Sequence, residues 1–194
     1  AILEQIGPEG KLLGLDWDED LLAECRKRLS DRKNAILLHG NYADLPEILE
    51  RENLPKAHAL LLDLGFSSEQ LADSGKGFSF TADEPLDLTY SKDRTPAHEM
   101  LRGMREPEIA QMLFDFGEER YGHKIAKAIV ERQRKNPIRT TKDLADTVSA
   151  AVPAGYEKGR IHPATRTFQA LRIYVNDELG NLKRILEGLA RVLT

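Results

Sequence analysis

The sequence predicts an α/β fold that is interrupted by an all-helical segment. Over residues 1–64, short and wholly apolar runs alternate with amphipathic stretches, and this alternation is typical of a parallel sheet with helices on its faces. Over residues 96–152 the apolar spacing is helical throughout, with no strand pattern. We therefore expect a sheet domain that carries a helical insertion.

The first half of the chain contains three candidate strands. Residues 11–15 and 35–39 are short apolar runs, and residues 58–64 form a third run that ends around Asp63. Helices are predicted at residues 1–6, 18–30 and 43–52. Because ligands of such sheets bind outside the carboxyl ends of the strands, the residues at these ends are the first candidates for a binding site.

The second half begins with a loop rich in Gly, Ser and Asp at residues 73–95. Helices are predicted at residues 96–104, 106–116, 118–135 and 141–152. Thr140 and Asp143 have the spacing of a capping box at the start of the last of these helices. A long helical pattern follows at residues 163–192, with a bend expected near Gly180.

The charge is distributed unevenly along the chain. The chain has 28 basic and 32 acidic side chains, a net charge of −4. Residues 1–119 hold 13 basic and 25 acidic side chains, whereas residues 120–172 hold 12 basic and 4 acidic ones. An acidic body with a basic subdomain is expected to attract phosphate backbones, and the alternative is a charged helix face that only meets solvent.

Several classes of protein are excluded by composition. No apolar run approaches the roughly 18 residues that a membrane-spanning helix needs. The single cysteine, Cys25, cannot form an internal disulfide and is typical of a reducing compartment. The five histidines have no ligand spacing, so no metal is expected. We find no serine-hydrolase set and no P-loop.

Two candidate binding residues follow the first two predicted strands. The Asp16 carboxylate could accept hydrogen bonds from two ribose hydroxyls, and the alternative is that Asp16 caps the next helix. The Tyr42 ring could lie along a purine face, and the alternative is an aromatic partly buried beneath a loop. For each residue the sequence position alone does not distinguish the binding role from the structural one.

The third predicted strand ends in a more specific string, DLGFSSEQL at residues 63–71. Asp63 closes the apolar run, and Gly65 permits a backbone conformation that other residues avoid. A carboxylate at this point could accept hydrogen bonds from an amine and align its lone pair for attack. The alternative is a strand-to-helix turn without chemistry.

A basic face is predicted on the helix at residues 118–135. At 100° per residue its basic side chains fall within about 100° of arc, next to an apolar stripe. These side chains are Arg120, Lys124, Lys127, Arg134 and Lys135. Such a face suits docking against RNA phosphates.

The string HPATRTFQALRIYVNDEL at residues 162–179 resembles a signature of the bacterial small-subunit ribosomal RNA cytosine-N4 methyltransferases, the MraW or RsmH family, which also has mitochondrial relatives. Further strings of the chain are similar to motifs of that family and follow in the same order. They are GLDWD at 14–18, DLGFSSEQL at 63–71, GFSF at 77–80, PLD at 85–87, FGEE at 116–119 and IRTT at 138–141.

The resemblance implies a Rossmann-like class I methyltransferase domain, with an incomplete parallel sheet, and a helical substrate-recognition insertion. The corresponding limits are residues 1–90 with 160–194 for the methyltransferase domain and 91–159 for the insertion. The implied reaction moves the methyl group of S-adenosylmethionine to the N4 amine of a cytidine in small-subunit ribosomal RNA, free or in a ribosomal particle. The implied location is the cytoplasm, or the mitochondrion for a eukaryotic relative.

The resemblance also assigns roles to individual residues. Asp16 would hold the ribose hydroxyls, Tyr42 would flank the adenine, and Asp63 and Gln70 would complete the cofactor pocket. Asp63 would in addition position the target amine as the catalytic residue. The candidates on the substrate side are Gln169, Arg172 and Asn176, which share one face of a helix, together with Arg120, Lys124 and Lys127.

Two parts of the family pattern are not found in the sequence. The Gly-Gly-His-Ser cofactor loop would precede Ala1, and a final segment would follow Thr194, so we expect a partial sequence. Two alternatives to the cytosine methyltransferase stay open. One is a non-catalytic RNA-binding remnant of the family, and the other is a methyltransferase of the same fold that acts on a different amine.

Overall fold

The computed structural model describes residues 1–65 and 75–194, with the backbone alone at residues 157 and 158. Its strands are β1 (Leu12–Asp16) and β2 (Ala35–His39). Its helices are α1 (Ile2–Gln5), α2 (Glu19–Arg28), α3 (Leu45–Arg51), α4 (Ala97–Gly103), α5 (Glu106–Gly117), α6 (Gly122–Lys135), α7 (Thr141–Ala151), α8 (Thr165–Asn176), α9 (Glu178–Glu187) and α10 (Leu189–Val192). Single 3-10 turns lie at Tyr42–Asp44 and Tyr156–Gly159. The mixed α/β class is confirmed.

The chain divides into two compact units. The first comprises residues 1–62 and 178–194, and the second comprises residues 63–177. The domain limits inferred from the resemblance, 1–90 with 160–194 and 91–159, concern function and stay a prediction.

The first unit contains the sheet. Strands β1 and β2 pair in parallel, with Leu12 opposite Ala35 and Asp16 opposite His39. The apolar pattern of these strands predicted them because parallel strands covered by helices are apolar on both faces. Beside the sheet, side chains of α3, α9 and α10 form a small core of Leu45, Leu49, Ile185 and Val192.

The second unit is built around α5, α6, α7 and α8, with the loop before α4 packed against them. Its core includes Ile109, Leu113, Ile125 and Leu171, all without measurable exposure. Helices α5 and α8 approach closely at Gly117, where a Cβ atom would lie 2.7 Å from the Arg166 carbonyl oxygen. The helical segment expected from the sequence is therefore present.

The prediction of a third strand at residues 58–64 is wrong. A strand needs a neighbouring backbone that supplies its hydrogen bonds, and the described residues offer this segment no ladder. A single parallel bridge joins Ala57 to Leu193 just before it. Leu60 and Leu62 pack against the core of the first unit. Leu61 and Leu64 are exposed, so the apolar composition of this segment produces neither a strand nor a fully buried run.

Two predicted helix boundaries are also corrected. The helix expected from residue 118 begins at Gly122, because Glu118 has a left-handed backbone (φ 50°) that ends α5. The bend expected near Gly180 lies at Asp177 (φ 52°), which ends α8. Left-handed residues other than glycine leave little trace in a sequence pattern.

No helix in the described part of the chain is both long and apolar enough to cross a bilayer. Within residues 1–65 and 75–194, no cluster of three or more His, Cys, Asp or Glu side chains could hold a metal ion.

Candidate cofactor and RNA site

Asp16 ends β1, and the structure shows that it is not the cap of the next helix. The cap of α2 is Asp18, whose carboxylate accepts from the amides of Asp20 and Leu21 at 3.1 and 3.4 Å. The Asp16 Oδ1 atom accepts instead from the Asp18 amide at 2.8 Å. This bond fixes the orientation of the Asp16 side chain at the carboxyl end of the strand.

The pKa of the Asp16 carboxyl lies above its ordinary value. Burial is the main cause, because a half-buried carboxylate loses part of its hydration, and the neighbouring Asp18 charge adds to it. The Asp18 amide and the nearby His39 act in the opposite direction. A carboxylate that has lost hydration gains more from new hydrogen-bond donors, so Asp16 is suited to accept ligand hydroxyls.

Tyr42 lies at the same edge of the sheet as Asp16. Asp16 is opposite His39 in the register, and the Gly40 amide donates to the Asp16 carbonyl at 3.0 Å. Tyr42 begins the turn that follows, which Asn41 caps through the Ala43 amide at 2.9 Å. The first two candidate residues for the cofactor therefore both lie at the carboxyl ends of the paired strands.

The Tyr42 ring is half-buried and packs against the leucines of the first unit. Its hydroxyl donates to the Glu178 carbonyl at 3.2 Å. This placement agrees with the interpretation of a partly buried aromatic beneath a loop. It is also what a fixed wall for a flat ligand requires, so the role of Tyr42 at a purine stays a prediction.

Asp63 and Gln70 are less well defined. Asp63 is exposed, and Gly65 has the positive φ, 122°, that the sequence anticipated. Gln70 lies outside the described residues. Asp63 opens the second compact unit, and its convergence with Asp16 and Tyr42 stays a prediction.

The three candidates on α8 differ sharply in exposure. Gln169 is exposed and Arg172 is half-buried. Asn176 has no exposed surface, which corrects the expectation that it shares an accessible face with the other two. Helical spacing gave the direction of its side chain but not the loop before α4, which covers it. We therefore assign Asn176 to holding that loop.

The sequence predicted the loop before α4 but not the contacts that hold it. Leu88 is almost fully buried and has a left-handed backbone, φ 64°, which is rare for a leucine. The Asn176 Nδ2 donates to the Leu88 carbonyl at 2.7 Å, and its Oδ1 accepts from the Tyr90 amide at 2.8 Å. Asp87 Oδ1 accepts from the Thr89 hydroxyl at 2.6 Å. Strained loops held in this way are common at functional sites.

Besides its composition, the sequence signals for this loop are the GFSF string at residues 77–80 and the PLD string at residues 85–87, to which the resemblance assigned no role.

The basic side chains before and on α6 are exposed, as predicted. Arg120, Lys124 and Lys127 face solvent, while Ile125 and Ile129 are fully buried. Lys127 lies 4.0 Å from the Glu131 carboxylate, and Lys124 lies 5.7 Å from the centre of the Tyr121 ring. The face is therefore open to a ligand, and its use for RNA stays a prediction.

Comparison with known proteins gives a consistent result over the whole chain. The model of the MraW methylase family matches residues 1–194. A protein of Syntrophobacter fumaroxidans named "Ribosomal RNA small subunit methyltransferase H" is 45% identical over 100% of this chain and 61% of its own length. Proteins of the same name from Syntrophotalea carbinolica and Coprothermobacter proteolyticus are 43% and 40% identical, over 99% and 100% of this chain and 61% and 64% of their own lengths.

The chain thus spans somewhat less than two thirds of these relatives. The matching segments include both strands of the sheet and the helical unit. This chain belongs to the MraW methylase family.

Proposed function

We propose that this chain acts in an S-adenosylmethionine-dependent methyltransferase that modifies the N4 amine of a cytidine in small-subunit ribosomal RNA. The observation that carries the proposal is the family match over residues 1–194, together with relatives named as ribosomal RNA small subunit methyltransferases. The enzyme would work in the cytoplasm, where small-subunit particles assemble. The domain limits 1–90 with 160–194 and 91–159 are part of this proposal.

The two candidate residues at the carboxyl ends of the strands fit the cofactor. Asp16 is an oriented, half-buried acceptor for two ribose hydroxyls, and Tyr42 offers a fixed ring a short distance along the same edge. An acidic residue at the end of a strand is the usual partner of a nucleoside ribose in doubly wound folds. Gln70 would add a polar contact.

The reaction makes small demands on acid–base chemistry. S-adenosylmethionine supplies a methyl group that is already strongly electrophilic. The chain would therefore contribute mainly by orienting the cytosine amine and excluding water from it. Asp63 would accept a hydrogen bond from the amine and stabilise the positive charge that develops on its nitrogen.

The RNA would be held by the second unit. Gln169 and Arg172 lie on α8, and Arg120, Lys124 and Lys127 lie before and on α6. A cytosine in a duplex does not expose its N4 atom to a methyl donor, so the target must be unstacked or single-stranded. Basic side chains that follow the backbone can hold such a strand regardless of its sequence.

Binding of the cofactor is tested with Asp16→Ala. Calorimetric titration with S-adenosylmethionine should show saturable binding that weakens about tenfold or more in the variant, since a hydrogen bond to a charged group contributes about 1.5–3 kcal/mol. Asp31→Ala, an exposed carboxylate in the turn between α2 and β2, is the matched control and should bind as the unsubstituted chain does. Equal affinity for all three would remove Asp16 from the site.

Catalysis is tested with Asp63→Asn, which keeps the size of the side chain and removes its charge. At saturating cofactor, transfer of tritiated methyl groups to small-subunit RNA should fall at least about a hundredfold, the usual effect of losing one electrostatic stabiliser of the transition state. Full activity in Asp63→Asn would remove Asp63 as the catalytic residue. RNA binding without cofactor binding would instead favour the non-catalytic remnant.

A further inference from the structure

The second unit contains a cavity whose lining shares only Arg120 with the cofactor, catalytic and RNA-binding residues proposed above. Its volume is about 350 Å³, within the range of about 300–1,000 Å³ that small-molecule sites span. It is lined by Arg120, Tyr121, Pro153, Ala154, Gly155, Tyr156 and Arg160. It lies between the turn before α6 and the segment that follows α7.

Two aromatic rings form part of the wall, and a buried carboxylate binds the hydroxyl of one ring and the backbone of the residue that carries the other. Glu119 is 1% exposed, and it accepts a hydrogen bond from the Tyr121 amide at 2.8 Å. The Tyr156 hydroxyl donates to the other oxygen of the same carboxylate. The two rings lie 5.9 Å apart between centres. The Tyr156 ring and the backbone of Tyr121 are thus held before any ligand arrives, which lowers the entropic cost of binding.

Two cationic side chains lie near the Tyr121 ring, the more exposed of the two rings. The Arg120 guanidinium lies 6.0 Å and the Lys124 ammonium 5.7 Å from the centre of the Tyr121 ring. Arg160, which is exposed, lines the same cavity. The planar guanidinium group of an arginine can donate two parallel hydrogen bonds to phosphate oxygens. A cation near an aromatic ring leaves ring surface on which a base can stack.

An aromatic face beside arginines is the combination that binds unpaired nucleotides. Every base has a π face, so stacking on a tyrosine does not depend on sequence, and the adjoining phosphate meets the guanidinium groups. An acidic peptide would bind through the arginines alone and would make no stacking contact with the Tyr121 ring. The composition of the cavity therefore favours a nucleotide over a carboxylate-rich partner.

We propose that this cavity binds one unpaired nucleotide of the RNA, with its base against Tyr121 and its phosphate at Arg120 and Arg160. The proposal rests on the proposed function in that the RNA is the substrate, and it adds an anchoring contact that none of the cofactor or catalytic candidates supplies. A single-stranded segment held here would lose its freedom to slide along the basic residues of α6.

The test uses the whole chain and fluorescence anisotropy with a labelled single-stranded oligocytidylate of ten nucleotides. A second probe has the same phosphates but tetrahydrofuran in place of each nucleoside. Tyr121→Leu should weaken binding of the oligocytidylate about tenfold, a typical effect of removing one stacking platform. It should leave binding of the abasic probe unchanged. Tyr121→Phe keeps the ring and should bind both probes as the unsubstituted chain does.

The charge is tested with Arg160→Gln, which should weaken binding of both probes and lower the slope of log K against log salt by about 1. Arg28→Gln on α2 makes the same change in net charge and is the matched control, which should leave both affinities unchanged. If the two arginine variants behave alike, the phosphate contact is overturned.

Photo-crosslinking of an oligonucleotide that contains 4-thiouridine provides a readout without substitution. Crosslinks at Tyr121 or within residues 153–160 support the site, and crosslinks confined to other segments overturn it. Loss of oligocytidylate and abasic binding together in Tyr121→Leu also overturns it, because stacking affects bases alone. These assays need no cofactor, so they fail or succeed independently of methyl transfer, which is measured separately.

Discussion

The Asn176 amide nitrogen donates a hydrogen bond of 2.7 Å to the carbonyl of Leu88, a buried leucine in the left-handed backbone region. A left-handed leucine is costly and persists only where its surroundings impose it. The same side chain accepts from the Tyr90 amide, so one asparagine of α8 holds the strained residue and the backbone that follows it. The loop before α4 therefore depends on a residue 88 positions away in the sequence.

Asn176→Ala should destabilise the chain by about 3 kcal/mol, because burying a backbone group that has lost its partner costs about 1–3 kcal/mol. Urea unfolding measures the change in free energy. Gln169→Ala on the exposed face of the same helix is the control, and its effect should stay within about 0.5 kcal/mol. Equal effects of the two substitutions would show that Asn176 does not hold the loop.

Glu118→Gly should stabilise the chain by about 0.5–1 kcal/mol. Glu118 is exposed and left-handed at the end of α5, a position where glycine carries no steric penalty. Glu118→Ala keeps the Cβ atom and should not show the gain. Thermal unfolding of the three proteins checks the order, and an alanine variant as stable as the glycine variant would contradict the backbone explanation.

Thr140→Ala should lower stability by about 1 kcal/mol through loss of the cap of α7. The Thr140 hydroxyl accepts from the Asp143 amide at 3.2 Å, and the Asp143 carboxylate accepts in return from the Thr140 amide. Thr140→Ser retains the oxygen and should be close to the unsubstituted chain in urea unfolding. A serine variant as unstable as the alanine variant would point to the methyl group instead.

Asp16→Asn should raise the stability at neutral pH while it weakens cofactor binding. The folded-state pKa of Asp16 is raised by burial, so the folded chain holds this proton more tightly than the unfolded chain does. The stability that this proton contributes is fully present below the unfolded pKa and is lost as the pH rises through the folded pKa. At neutral pH the buried charge of Asp16 therefore lowers the free energy of unfolding, and the neutral amide of the variant does not.

The measurement is thermal unfolding of Asp16→Asn and the unsubstituted chain between pH 3 and 7. The advantage of the variant should shrink as the pH falls towards the ordinary range for an aspartate, about 3.9. An advantage that does not depend on pH would contradict the assignment to charge burial.

The parts of the fold that follow from local pattern could be predicted from the sequence. Strands β1 and β2 pair with each other across a single helix, and the capping box of Thr140 spans four residues. All of them lie where the sequence placed them within a residue or two. The segment 58–64 could not be predicted in this way, because a ladder depends on a partner elsewhere in the chain.

The residues of the candidate site also differ in whether local sequence pattern predicts them. Asp16 and Tyr42 follow from the rule that strand ends meet at one edge, whereas the burial of Asn176 and the cavity at Tyr121 depend on contacts between distant segments. Helical spacing gives the direction of a side chain and not what covers it. Glu119 shows the same limit, since its sequence neighbours are exposed and its carboxylate is buried beneath two tyrosines.

The most direct measurement identifies the nucleoside that carries the methyl group. Small-subunit RNA that lacks the modification is incubated with the protein and with S-adenosylmethionine carrying a trideuterated methyl group, then digested and analysed by mass spectrometry. We expect deuterated N4-methylcytidine as the product, in greatly reduced amount with Asp63→Asn. Label on a carbon of the base, label on another nucleoside, or RNA without label would contradict it.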